Sequence, residues 1–327
     1  PAGAPPRGSF IPAPPKDSPL PPWLPPSRTL GGFFVLRALG SGAVGSVFVA
    51  RRVEEKKNDD AARFALKVPE FTGAAARTLS EDEFLRLFRE EAGALLSIPE
   101  HHNLAHLVTF DGGARPKPIL VMELVEGPTL ERVVETGALD LRQTFAILDG
   151  IAAGLEAMHG VGVGHLDVKP SNVILRDADP LAGENGTPVL VDFGLAGRHL
   201  RPGCATSNYG APEIWGLLPK GHQPSPIAAD IYAFGALAFE ILTGRTLVNG
   251  DSDVAIITAH LSHDGDFRGL DWLTRDPNLA QLAEVLRGAL RQDPRARTPI
   301  RELRQQLRDV QPLVSVRRWP LNAHAAA

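Results

Sequence analysis

The stretch His165-Leu166-Asp167-Val168-Lys169-Pro170-Ser171-Asn172, with Asp192-Phe193-Gly194 a short insertion later, decides how this chain reads. An aspartate, a lysine two residues on and an asparagine five residues on put a proton acceptor, a phosphate-binding cation and a metal ligand within one turn of chain. Phosphoryl transfer asks for that equipment and for little covalent help. It needs an in-line hydroxyl, neutralised phosphate oxygens, and a magnesium ion held by carboxylate and amide oxygens. In such chemistry Asp167 accepts or orients the hydroxyl proton and Lys169 faces the transferred phosphate. Asn172 and Asp192 hold the metal.

Upstream, Phe33-Phe34-Val35-Leu36 and Phe48-Val49-Ala50 read as strands around Gly40-Ser41-Gly42-Ala43-Val44-Gly45-Ser46-Val47. Gly40, Gly42 and Gly45 let a hairpin close over phosphates with backbone amides toward them, because no Cβ blocks the approach. Alone, such a turn is also an ordinary hairpin. It precedes Phe64-Ala65-Leu66-Lys67-Val68, an apolar strand holding a lysine that is costly to bury unpaired. Ser80 with Glu83 forms a capping-box pattern and starts a helix near Glu81. Phe84, Leu87, Phe88 and Leu95 give its apolar face. Glu91, four residues from both Leu87 and Leu95, shares that face and is the expected partner of Lys67; Glu90 is turned about 100° away.

Composition is that of an ordinary globular protein, 43% hydrophobic and 22% charged, and 327 residues suit two lobes around a cleft. A formal net charge of −4 carries no nucleic-acid signature. A single cysteine, Cys204, excludes an intrachain disulfide and suits the cytoplasm; it reads as a buried or half-buried small side chain. No apolar run reaches the roughly 20 residues of a membrane span. The chain opens at Pro1 without Met, reading as a processed or excised piece that leaves an anchor outside these boundaries open. Proline dominates residues 1–28, which read as a flexible tail or linker, although Phe10 and Trp23 keep docking open.

Further marks follow in order: Thr206 and Tyr209 before Ala211-Pro212-Glu213, Asp230 to Gly235 opening a helix, and Arg297 with Thr298 and Pro299 as cap and first residue of the last helix. From about Phe33 to Val310 the chain resembles the eukaryotic-like (Hanks-type) serine/threonine protein kinases. Abundant Arg, Ala, Gly and Pro point to a bacterial member. The resemblance implies an α+β, bilobal kinase fold at residues 29–311: a β-rich N-lobe with one key helix (29–122), a hinge (123–127) and a mainly helical C-lobe (128–311). Residues 312–327 would be a tail. It implies ATP with Mg2+, or Mn2+, as cofactors and protein substrates with Ser or Thr acceptors. Lys67 would meet the α and β phosphates beneath Gly40, Ser41, Gly42, Ala43 and Gly45. Val47, Ala65 and Ile174 would enclose adenine, Met122 would be the gatekeeper, and Glu123 and Val125 would lie in the adenine-reading hinge. Glu213 would pair with Arg297, Asp230 would brace the catalytic loop, and Thr206 would touch Asp167 and Lys169.

One departure bears on control. Leu166 stands where many of these kinases have the arginine that meets an activation-segment phosphate. The segment from Asp192 to Glu213 is short, with Thr206, Ser207 and Tyr209 its hydroxyl residues. Arg198 and Arg201 read as surface arginines. Little dependence on activation-segment phosphate is expected, with control from a regulatory partner, a second copy, the proline-rich tail or the Glu91 helix. Two rival readings, a small-molecule phosphotransferase and a nucleotide-binding pseudokinase scaffold, fit less well. Ala-Pro-Glu, Asp230 and Arg297 oppose the first; intact Lys67, Asp167 and Asp192 oppose the second.

Overall fold

A computed structural model describes residues 20–42, 45–71, 80–137, 139–178, 186–201, 203–216, 218 and 223–322. The chain falls into two compact units, Pro1–Ser97 with Ala105–Leu124, and Ile98–Leu104 with Val125–Ala327.

The first unit is a six-stranded antiparallel sheet in the order β1-β2-β3-β4-β6-β5. The strands are β1 (Thr29–Leu30), β2 (Phe33–Gly42), β3 (Gly45–Arg52), β4 (Phe64–Pro69), β5 (Leu107–Asp111) and β6 (Ile119–Glu123). Alternation places Val35, Phe48, Leu66 and Val68 in one core with Leu30, Phe33, Ile119 and Val121. Helix α1 (Glu81–Leu96) starts where the capping box requires: Ser80 Oγ accepts from Glu83 N, and the Glu83 carboxylate accepts from Ser80 N at 2.9 Å. Its inward Phe88 meets Phe110 of β5, ring centroids 6.0 Å apart.

The described part of the proline-rich run departs from the flexible tail expected of it. Pro21 O accepts from Leu24 N at 3.0 Å, and Pro25 O from Arg28 N at 2.8 Å. Each turn carries a proline, Pro22 or Pro26, at the position whose φ that ring presets. The prolines that forbid helix and sheet therefore fold this stretch back, and Leu24 joins the core at 8% exposure.

The second unit is mainly helical, with α2 (Leu130–Thr136), α3 (Leu141–His159), α4 (Pro226–Thr243), α5 (Asp253–Leu261), α6 (Asp271–Thr274), α7 (Pro277–Ala289) and α8 (Ile300–Val314) beside a hairpin of β7 (Val173–Arg176) and β8 (Thr187–Leu190). Helix α4 begins at Pro226 under a Ser225 cap, four residues before Asp230, where the sequence reading opened it. Among the described residues it is the one helix long and apolar enough to cross a membrane, and 89% of it is buried. Helix α8 begins at Ile300, not Pro299, and Thr298 does not cap it: the Thr298 amide donates to Gly288 O at 2.9 Å. The expected C-terminal tail is also anchored as far as it is described, since α8 runs to Val314, the Trp319 indole donates to Ile241 O at 2.7 Å, and Leu321 is 3% exposed. Cys204 is exposed, contrary to the buried or half-buried expectation.

Candidate active site

In the first unit, β2 and β3 pair as Gly40↔Val47, Ser41↔Ser46 and Gly42↔Gly45; Ala43 lies outside the described residues. Gly45 has φ +154°, and a Cβ there would meet Val68 O at 2.3 Å, so the β3–β4 approach demands glycine. A Cβ on Gly40 would meet nothing within 4 Å. That open side is what backbone contact with a phosphate needs. The register Val47↔Lys67, Val49↔Ala65 and Ala65↔Met122 puts Val47, Ala65, Lys67 and Met122 on one sheet face, opposite the Phe48 and Leu66 core.

Lys67 Nζ lies 2.7 Å from Glu91 Oε1, both side chains nearly sealed from solvent. Glu90 is exposed and lies 3.8 Å from Arg86 one turn earlier. Glu123, the last residue of β6, donates its amide to His106 O at 2.8 Å.

In the second unit the catalytic-loop residues form one hydrogen-bonded cluster. Lys169 Nζ sits 2.8 Å from Asp167 Oδ2 and donates to Thr206 Oγ1 at 2.9 Å, and the Thr206 hydroxyl donates to Asp167 Oδ1 at 3.1 Å. Asn172 Nδ2 donates to the backbone and side-chain oxygens of Asp167, each at 2.9 Å. Its amide nitrogen is thereby committed, and its carbonyl oxygen is the atom it offers to a cation. Asp192 is exposed at φ +59°, one residue beyond Val191, whose amide donates to Asn172 O at 2.9 Å.

This loop is held from below. Buried Asp230 accepts the amides of His165 and Leu166, both at 2.7 Å, and its Oδ2 lies 2.9 Å from His159 Nε2. His165 is buried, its Nε2 donating to Val191 O at 3.1 Å and its ring 5.1 Å from that of Phe193. Leu166 is 6% exposed and takes φ +64°, an uncommon conformation for a branched side chain. Glu213 and Arg297 form a bidentate pair at 2.6 and 2.8 Å with both side chains fully enclosed.

Val125 is buried, and Ile174 is half-buried in β7, bridged to Thr129. Sequence reasoning passed over Gly127, where φ is +147° and a Cβ would lie 2.1 Å from Leu175 O. It also passed over His260, which is enclosed between Tyr232 Oη at 2.8 Å and Asn208 O at 3.1 Å. Burial pushes the His260 imidazole down to about 4 and the Tyr232 phenol up. The carbonyl of Asn208 can only accept, so Nε2 carries the proton and Nδ1 accepts from Tyr232. Each half of the expected site is thus assembled within its own unit.

Residues 33–307 match the protein kinase domain. The chain is 33% identical over 240 residues to the serine/threonine-protein kinase pkn2 of Myxococcus xanthus, covering 71% of this chain and 27% of that one. It is 34% identical over 197 residues to PknL of Mycobacterium bovis, covering 58% and 46%, and 29% identical over 245 residues to PrkC of Bacillus subtilis, covering 72% and 34%. It therefore spans less than half the length of these relatives. A β-rich unit with one long helix, a mainly helical unit, and a match across most of its length establish that this chain belongs to the protein kinase family and has its bilobal α+β fold.

Proposed function

We propose that this chain is an ATP-dependent serine/threonine protein kinase that works without phosphate on its activation segment. The observation that carries the reading is the cluster of Asp167, Lys169, Asn172 and Thr206 braced by Asp230. Asp167 accepts the proton of a substrate Ser or Thr hydroxyl, its carboxylate aimed by Thr206 and Asn172. Lys169 neutralises the phosphate in flight, and Lys67, steadied by Glu91, holds the α and β phosphates. The donor set suits magnesium: Asn172 and Asp192 offer amide and carboxylate oxygens, hard ligands that leave room for phosphate oxygens and water. When bound, magnesium-ATP supplies the phosphoryl group and neutralises its charge. Within the first unit, Val47, Ala65 and Met122 offer adenine one apolar face of the sheet, and Glu123 at the end of β6 offers it a backbone carbonyl.

Independence from activation-segment phosphate is supported by what already holds residues 206–209. Thr206 is tied to Asp167 and Lys169, Ser207 Oγ donates to Asp253 Oδ1 at 2.8 Å, Asn208 is held by His260, and the Tyr209 hydroxyl bonds the Glu240 carboxylate. Leu166 has no donor to offer a phosphate.

The test is transfer of labelled γ-phosphate to a basic protein, followed from the first seconds, by phosphatase-treated chain, Ser207→Ala and Asp167→Asn. The first two should start within about twofold of the parent, while Asp167→Asn falls by roughly 100-fold or more. A lag that disappears as phosphate enters the segment between Asp192 and Glu213 would refute phosphate independence. Near-parent turnover by Asp167→Asn would refute the site.

A further inference from the structure

Resting on that reading, we propose that Trp23 is a positioning residue for nucleotide binding, acting through Glu70 on the strand that leaves the glycine-rich turn. One oxygen, Glu70 Oε1, accepts both the Trp23 indole N–H at 3.1 Å and the Ser46 hydroxyl at 2.8 Å. Ser46 is the second residue of β3, directly after Gly45, and is 7% exposed. Glu70 is the first residue beyond β4, the strand that carries Lys67. A single carboxylate thus joins the folded-back proline segment, the exit of the glycine-rich turn and the end of the Lys67 strand.

The surroundings hold Trp23 in place. Its ring meets Phe48 edge-on, centroids 5.9 Å apart, and Lys117 Nζ stands 4.9 Å from its centroid. The same Lys117 ammonium donates to Pro69 O at 3.2 Å, opposite Gly45 in the β3–β4 register. Leu24 is sunk in the sheet core and fixes the main chain beside Trp23. Releasing the Ser46 end should let the glycine-rich turn sample positions in which its amides no longer converge, which weakens nucleotide binding more than the chemical step.

The experiment uses the full chain as parent, Trp23→Phe, Ser46→Ala, the double variant, Glu70→Ala and Glu70→Gln. It measures KM for ATP, kcat, affinity for a fluorescent ATP analogue and amide hydrogen exchange at residues 45–48. Trp23→Phe and Ser46→Ala should each raise KM for ATP about threefold to tenfold, the scale of one lost hydrogen bond, with kcat within about twofold. Both should speed exchange at residues 45–48. Because both act through one carboxylate, the double variant should do no more than the stronger single one. Glu70→Ala should match it, and Glu70→Gln, which keeps an acceptor oxygen, should stay near the parent. Should Trp23→Phe fail to fold, Ser46→Ala and the Glu70 pair make the same comparison. Unchanged KM and exchange in the single variants, or additive effects in the double variant, overturn the proposal while parent turnover leaves the kinase reading standing. A parent chain that binds no nucleotide overturns both.

Discussion

At the scale of single residues, helical phase separates two adjacent glutamates. Glu91 is 2% exposed and pairs with Lys67, while the neighbouring Glu90 faces water beside Arg86. A buried lysine facing an uncharged partner loses the field that steadies it, whereas an exposed i,i+4 pair contributes little. Glu91→Gln should therefore lower phosphate transfer roughly tenfold to hundredfold, the scale of one charged hydrogen bond, and Glu90→Gln should change it less than about twofold. Equal losses in a steady-state assay would show that the glutamates do not differ in role. The distinction was legible because Phe84, Leu87, Phe88 and Leu95 recur at helical spacing; Phe84, Phe88 and Leu95 are buried and Leu87 is half-buried, so the stripe holds at the phase that turns Glu91 inward. Leu166 and Asp192 were legible as residue types but not as conformations. Both take positive φ, at +64° and +59°, and nothing in a leucine or an aspartate announces that its backbone is held in the left-handed region by the bonds around it.

Among the elements, those with local signals were readable and those shaped by distant contacts were not. The start of α1 is written in Ser80 and Glu83. The start of α4 lies earlier than Asp230 suggests, because Ser225-Pro226 supplies a cap followed by proline at N1. His260 on α5 gave no signal at all, since its partners Tyr232 and Asn208 lie 28 and 52 residues away. Its burial has a measurable consequence. The folded imidazole is pushed down to about 4, below its ordinary value of 6.5, so between those values the unfolded chain binds the extra proton. Stability is then fully present above pH 6.5 and falls as the pH drops toward 4, by up to about 3 kcal/mol from this one group. Other groups face the same pocket, including His263 and, through Tyr232, the Glu213 and Arg297 pair. The difference between parent and variant therefore isolates His260. Glutamine can donate to Asn208 O and accept from Tyr232 without titrating, so His260→Gln should flatten the loss of urea-unfolding free energy between pH 7 and pH 5. A slope identical to the parent's would show that His260 is not the titrating group.

For the whole molecule, the family match and the packed chain have different limits. The match covers residues 33–307, but buried side chains lie beyond both ends: Leu24 and Leu30 before it, Val310, Val314 and Leu321 after it. Each belongs to the core of its own unit, Leu24 and Leu30 with Phe33 and Val35, and the C-terminal stretch against α4 through Trp319 and Leu321. Leu30 and Val310 fall inside the expected domain of 29–311, whereas Leu24, Val314 and Leu321 fall in stretches read as tails, because proline-rich or short stretches lack periodicity, and periodicity is what distinguishes a core-facing element in sequence. Burying one aliphatic side chain contributes about 1.5–3 kcal/mol, so five together approach the 5–15 kcal/mol by which a typical domain is stable. A chain cut to residues 33–307 should accordingly show no cooperative thermal transition and should expose apolar surface to a hydrophobic dye. Leu321→Ala in the full chain should be milder, costing about 2–4 kcal/mol as a single buried truncation. If the trimmed chain melts cooperatively at the parent temperature, the flanking residues are packed without being needed, and the stability of each unit resides within the matched span.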